Sequence, residues 1–133
     1  MILNRQRTVR VARPPLEAFL ARVREQLRLN GAEITIALVS DPAIARMNET
    51  YRHKKGPTDV LSFPADERDS LGDIAISPAT ARRNAKKFGR TLPSELQILI
   101  LHGVLHLLGY DHETDNGQMT RIENRLRRKL GLQ

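Results

Sequence analysis

Residues 95–112 read ELQILILHGVLHLLGYDH. Leu96, Ile98, Leu99, Ile100, Leu101, Val104, Leu105, Leu107 and Leu108 leave almost no polar side to a helix in this segment. A helix that is apolar all round lies in the middle of a core, with the other elements packed about it. Its polar exceptions then carry information. Glu95, His102 and His106 fall at i, i+7 and i+11, on one face. An unpartnered imidazole is unfavourable in a core, so these histidines require partners. Four residues advance ~6 Å along a helix and bring two side chains over one spot, the usual way for a helix to offer two nitrogens to one ion. Gly109 follows His106 by three residues and suits the left-handed turn that ends a helix. The chain then turns back through Tyr110 and Asp111 to present His112.

The full spacing, H-x-x-x-H-x-x-G-x-x-H, is that of the long zinc-protease motif. The chain has no Cys, so a transition-metal site must use His and carboxylates. Three imidazoles suit an open, catalytic zinc site whose fourth position holds water, with one Zn2+ per chain. The same set also accepts nickel, copper or iron. His53 is a further imidazole, but its basic loop favours solvent or phosphate contact. Asp111, Glu113 and Asp115 are candidates to orient a histidine ligand from behind, with helix capping the preferred reading of Asp115.

Outward from this segment the chain reads as alternating elements. Residues 2–11 alternate as a strand. After Pro14 and Pro15, Leu16, Phe19, Leu20, Val23 and Leu27 repeat at helical spacing, with a stop near Asn30-Gly31. Glu33 to Val39 is a β-branched strand. Ser40 or Asp41 caps a short helix through about Tyr51, followed by a basic loop, Arg52 to Pro57. Asp59–Phe63 and Gly72–Ile76 read as strands joined through an acidic loop over 65–70. Pro78 opens a basic helix that runs to Phe88 and stops at Gly89. Pro93 opens the apolar helix, and Asp115 or Asn116 starts a last basic helix to about Leu130. The order β-α-β-α-β-β-α-α-α predicts one α+β domain over residues 1–133, with a small mixed four-stranded sheet packed with helices and a central buried metal-binding helix.

The 133 residues suffice for one sizeable core. No apolar leader segment opens the chain, and the apolar run is too short to span a bilayer, so the expectation is a cytoplasmic protein without membrane contact. Lys and Arg total 22 against 15 Asp and Glu, a net charge of +7, which favours polyanionic partners such as nucleic acid. Aromatics are 4%, so stacking platforms for bases are few.

The protease reading has a specific weakness. Helix motifs of that kind place Glu directly after the first His as general base, and here that position is Gly103. A zinc peptidase would need another base, with Glu95 the candidate on the same face. First-turn electrostatics explain Glu95 equally well.

The segment LHGVLHLLGYDH resembles the signature of the YbeY family of bacterial metal-dependent endoribonucleases. Asn48–Pro64, NETYRHKKGPTDVLSFP, is similar to that family's arginine-containing loop and following strand, and Leu71–Ser77, LGDIAIS, to its next strand. The resemblance covers roughly residues 45–112. It implies a zincin-like fold, zinc bound by His102, His106 and His112, and catalytic roles for Arg52 and for His102. It also implies a single-strand-specific endoribonuclease acting in 16S rRNA 3′-end maturation and ribosome quality control, with the small ribosomal subunit as partner and Asp73 as a partner contact. The residues agree with that chemistry. Arg52 suits bidentate phosphate contact, although from the sequence alone an exposed arginine at a helix end is the plainer reading. Lys54, Lys55, Arg82, Arg83, Lys86 and Lys87 are candidates to bind RNA, as are Arg121, Arg125, Arg127, Arg128 and Lys129 on the last helix, although solvated faces explain both sets as well. Thr58, Asp59 and Ser62 are placed near the metal cleft. The alternatives are a zincin-type peptidase and a non-catalytic ribosome-assembly factor whose metal is structural.

Overall fold

The computed structural model describes residues 1–29, 31–111 and 113–132. It contains a mixed sheet of β1 (Ile2–Asn4), β2 (Glu33–Leu38), β3 (Val60–Glu67) and β4 (Ser70–Ile76). Around it lie α1 (Arg13–Gln26), α2 (Asp41–Arg52), α3 (Pro78–Phe88), α4 (Leu92–Leu107) and α5 (Gln118–Lys129). The element order is the one expected. Strands run in the order β1-β2-β4-β3, with β1, β2 and β4 parallel and β3 antiparallel to β4.

Alternation along the strands divides the interior. Ile34, Ile36 and Leu38 of β2 and Ile74 and Ile76 of β4 face one side, where they join Phe19, Leu20 and Val23 of α1, the apolar residues of α4, and Met119 and Leu126 of α5. α4 is the centre of that core, with ten of its sixteen residues buried, as an all-round apolar helix requires. On the other face α2 covers only part of the sheet, through a smaller cluster of Val39, Ile44, Leu61 and Ala75. Strand β3 is therefore an edge strand, and it runs beside α4.

Several boundaries differ from the sequence reading. The first strand ends at Asn4 rather than residue 11. The Gln6 side chain explains this: its amide donates to Val9 O (2.8 Å) and to Asn4 Oδ1 (2.9 Å), and its oxygen accepts from Val9 N (3.0 Å). That local loop replaces a ladder. Helix α1 ends at Gln26, earlier than expected, with Leu27 N bonding back to Val23 O; Asn30 lies outside the described residues. Helix α5 begins at Gln118, after Gly117 (φ +85°) as its N-cap residue, and Asp115 lies ahead of it, accepting from Gly117 N and Met119 N. Strand β3 runs on to Glu67 and β4 starts at Ser70, so the acidic segment 65–70 is mostly strand rather than loop, and only Arg68 and Asp69 form the hairpin turn, with a register shift between Pro64 and Glu67.

Candidate active site

The C-terminal end of α4 closes as the glycine foretells. Gly109 has φ +96°, its N–H bonds to His106 O (3.0 Å), and Tyr110 N–H bonds to Leu105 O (3.1 Å). These two bonds form a Schellman motif, which satisfies the last carbonyls and reverses the chain. The turn carries Asp111 and Glu113 back beside the helix face that holds the histidines. His112 lies outside the described residues.

A cleft of ~340 Å³ opens between α4, edge strand β3 and the end of α2. His102, His106, Arg52 and Asp59 line it, together with Thr58, Ser62, Asp111 and Glu113. The two imidazoles converge, with Nε2 of His102 3.1 Å from Nε2 of His106. Behind them, Nδ1 of His102 lies 3.2 Å from Glu123 Oε1 of α5. An ionised carboxylate only accepts, so Nδ1 of His102 donates and carries the proton. Its Nε2 is then the nitrogen turned toward His106.

That donor set fits a metal ion. Two nitrogens bound at ~2.0–2.1 Å to one tetrahedral ion stand about 3.3 Å apart, close to the separation observed. Nδ1–H held by a carboxylate is the usual second-layer support of a metal-bound histidine. Among the described residues no group of three His, Asp or Glu meets at one point.

Arg52 reaches the cleft as the last residue of α2 rather than as part of the loop. His53 takes the left-handed conformation (φ +56°) that ends the helix, with its N–H on Glu49 O. Buried Asn48, unremarked in the sequence, fixes the following loop by donating from Nδ2 to Gly56 O at 3.0 Å. Arg52 stands 3.8 Å from Glu113 Oε1, with both side chains exposed. Such a pair contributes little to stability, so the guanidinium is open to exchange Glu113 for another anion. Thr58, Asp59 and Ser62 line the cleft as expected, and Asn84 of α3 donates to Asp59 Oδ2 at 3.2 Å. Ser62 Oγ donates to Gly103 O at 3.0 Å, tying the edge strand to α4.

Several expected participants are elsewhere. Glu95 is buried seven residues before His102, about 10.5 Å along the axis, and pairs with Arg90 Nη1 at 3.0 Å. It does not line the cleft. Gly103 is a packing position: a Cβ there would stand 2.9 Å from Ile74 Cγ2. The place of a protease base is thus occupied by the contact of α4 with β4. Asp115 caps α5, its carboxylate accepting from Gly117 N (2.8 Å) and Met119 N (2.9 Å). Lys54, Lys55, Arg82, Arg83, Lys86 and Lys87 are exposed and outside the cleft lining, and Arg83 is held by Asp41 at 2.9 Å. Asp73 lies on the far side of the sheet, in a groove with Tyr51 and Phe63. Sequence reasoning sought the carboxylate behind a histidine in the turn after α4 and missed Glu123. The only signal was an acid four residues after Met119 and three before Leu126, on the apolar side of an otherwise basic helix.

The family model for Endoribonuclease YbeY matches residues 1–131. The chain belongs to the YbeY endoribonuclease family. It is 47% identical over 120 residues to Endoribonuclease YbeY of Solibacter usitatus, covering 90% of this chain and 80% of that relative. Identity to the Koribacter versatilis relative is 42% over 132 residues, 99% of this chain and 86% of the other. The solution structure of TM1509 from Thermotoga maritima superposes with a TM-score of 0.68 at 29% identity, covering 98% of this chain and 89% of that one. Family membership extends to both flanks of the chain, beyond the central blocks that first suggested it.

Proposed function

We propose that the chain is a single-domain, zinc-dependent endoribonuclease that cuts single-stranded RNA, and that it acts in 16S rRNA 3′-end maturation and ribosome quality control on the small subunit. The carrying observation is the pair of converging imidazoles in a cleft with an arginine on its rim. The relatives are named as endoribonucleases, which supports RNA as substrate. On this reading the fold is zincin-like, α4 is the metal-binding helix, and His102, His106 and His112 hold one zinc ion. The zinc would supply Lewis-acid polarisation of a phosphoryl oxygen and activation of water. Arg52 exchanges its weak contact with Glu113 for a phosphate and stabilises the negative charge that grows during cleavage. Glu123 keeps the His102 ring in one tautomer and orientation. Asp73, separated from the cleft by the sheet, serves in partner contact rather than chemistry.

The peptidase alternative loses Glu95 as its base, because Glu95 is tied to Arg90, and the position after His102 is glycine packed against Ile74.

The test uses wild type and His106→Ala with labelled single-stranded rRNA fragments and an unfolded protein substrate, with and without chelator. RNA cleavage that disappears in both the variant and the chelated sample is expected. Proteolysis in its place would sink the reading, and ribosome binding without any cleavage would favour an assembly role.

A further inference from the structure

Helix α5 has two opposed functional faces. Met119, Glu123 and Leu126, at i, i+4 and i+7, point inward, where Met119 and Leu126 enter the core and Glu123 meets His102. Arg121, Arg125 and Arg128 have the same spacing but are offset by two residues, about 200° around the axis. All three are exposed. They line a groove of ~750 Å³ with Tyr110, Gln118, Ile122 and Asn124. Among the described residues no carboxylate stands within ion-pair distance of Arg125 or Arg128. Arg121 Nη1 donates to the backbone oxygen of Asn116 at 3.1 Å, which leaves its charge unneutralised.

The groove and the candidate cleft are linked through shared lining residues. Asp111 lines both the cleft and a shallow depression beside it, and Tyr110 and Gln118 line both that depression and the arginine groove. Two acidic residues stand between cleft and groove: Asp111 accepts from Glu113 N at 3.0 Å, and Asp115 is turned onto two backbone N–H groups at the start of α5, where the helix dipole offsets its charge.

We propose that this face of α5 is a second binding track for single-stranded RNA, holding the part of the strand that flanks the bond in the cleft. The proposal rests on the ribonuclease reading and extends it. Arg121 to Arg128 spans about 10.5 Å, the rise of about three stacked nucleotides. Guanidinium groups along one wall meet the phosphates, and Tyr110 and Ile122 give an apolar floor for a base, the combination that single-strand grooves use. A flexible strand can follow the bend from cleft to helix, whereas a rigid duplex cannot.

The test compares wild type with the double variant Arg125→Gln, Arg128→Gln, both loaded with zinc. Affinity is measured for a single-stranded RNA of about 20 nucleotides and for one of about six, across a salt series. The long RNA is expected to bind the variant about tenfold more weakly. The slope of log affinity against log salt should fall by about 1.4, since each single-strand phosphate contact contributes about 0.7. The short RNA, which fills the cleft alone, should change less than threefold. Circular dichroism melts of both proteins check that the exposed substitutions leave the fold intact. An unchanged salt slope with the long RNA, in a wild type that cuts RNA, overturns this proposal alone. Equal weakening for both lengths also overturns it, by placing the arginines in the cleft. Loss of poly-glutamate binding with RNA affinity retained assigns the face to an acidic protein instead. A wild type that neither binds nor cuts either RNA removes the ribonuclease reading and this proposal together.

Discussion

At the residue scale, Glu123 and Gly103 make the site what it is. Glu123 Oε1 stands 3.2 Å from Nδ1 of His102, and the side chain is only 13% exposed. Glu123→Gln keeps the shape but removes the charge that favours Nδ1–H, so zinc affinity should fall about 10–100-fold in a competition titration with a chromophoric chelator. Unchanged affinity would show that the contact is passive. Gly103 acts through what it lacks. Gly103→Ala drives a Cβ to within 3.0 Å of two atoms of the Ile74 side chain, and overpacking of this kind costs about 1–3 kcal/mol. Urea denaturation should show that loss, and Ile74→Val in the same chain should recover part of it. If the double variant is no more stable than Gly103→Ala, the contact is not the reason for glycine here. Both residues were visible in the sequence, but their roles were not, because each role belongs to a neighbour more than twenty positions away in sequence.

At the element scale, the start of α2 is joined to α3 by one carboxylate. Asp41, in the first turn of α2, accepts from Ser77 Oγ (2.6 Å), Thr80 Oγ1 (2.7 Å) and Arg83 Nη2 (2.9 Å). Burial pushes its pKa upward, but the three hydrogen bonds and the Arg83 charge outweigh that and hold it below the ordinary 3.8. A folded-state pKa below the unfolded value means that Asp41 stabilises the fold fully above the unfolded value. That contribution is lost as pH falls through the lower folded value. Wild type should therefore melt higher than Asp41→Asn at pH 7, and the gap should close below about pH 4. An equal gap at all pH values down to the acid-unfolding limit would mean that packing, not charge, holds the junction. Ser40, one of the two caps the sequence offered for α2, accepts from Ala43 N, and Ser77 and Thr91, which the sequence reading did not single out, likewise accept from the backbone N–H three residues on. Boundaries failed where a side chain made an unforeseen local bond, as Gln6 does when it ends β1.

At the scale of the whole molecule, the candidate metal site would add a link between α4 and α5, which the core already joins through Met119 and Leu126. His102 and His106 sit on α4 and Glu123 on α5, with His112 between them in sequence. Zinc that binds only the folded chain should add stability by mass action, about 2.7 kcal/mol at one hundred times its dissociation constant. That is a rise of several degrees in Tm for a chain of this size. Calorimetry with and without zinc checks it, and His106→Ala should abolish the difference. Equal shifts in both proteins would place the ion elsewhere. The sequence by itself determined the element order, the buried helix, its Schellman stop at Gly109 and the paired histidines, because helical period, capping and turn chemistry act between residues at most a few positions apart. Only the tertiary structure decided which charged groups share the cleft. It brought Arg52 to the rim and Glu123 behind His102. It set Glu95 on Arg90 and Asp73 on the far face of the sheet. Those placements depend on how helices and strands cross, and a one-residue change of register or a different crossing would move each of them with no change in the local sequence pattern.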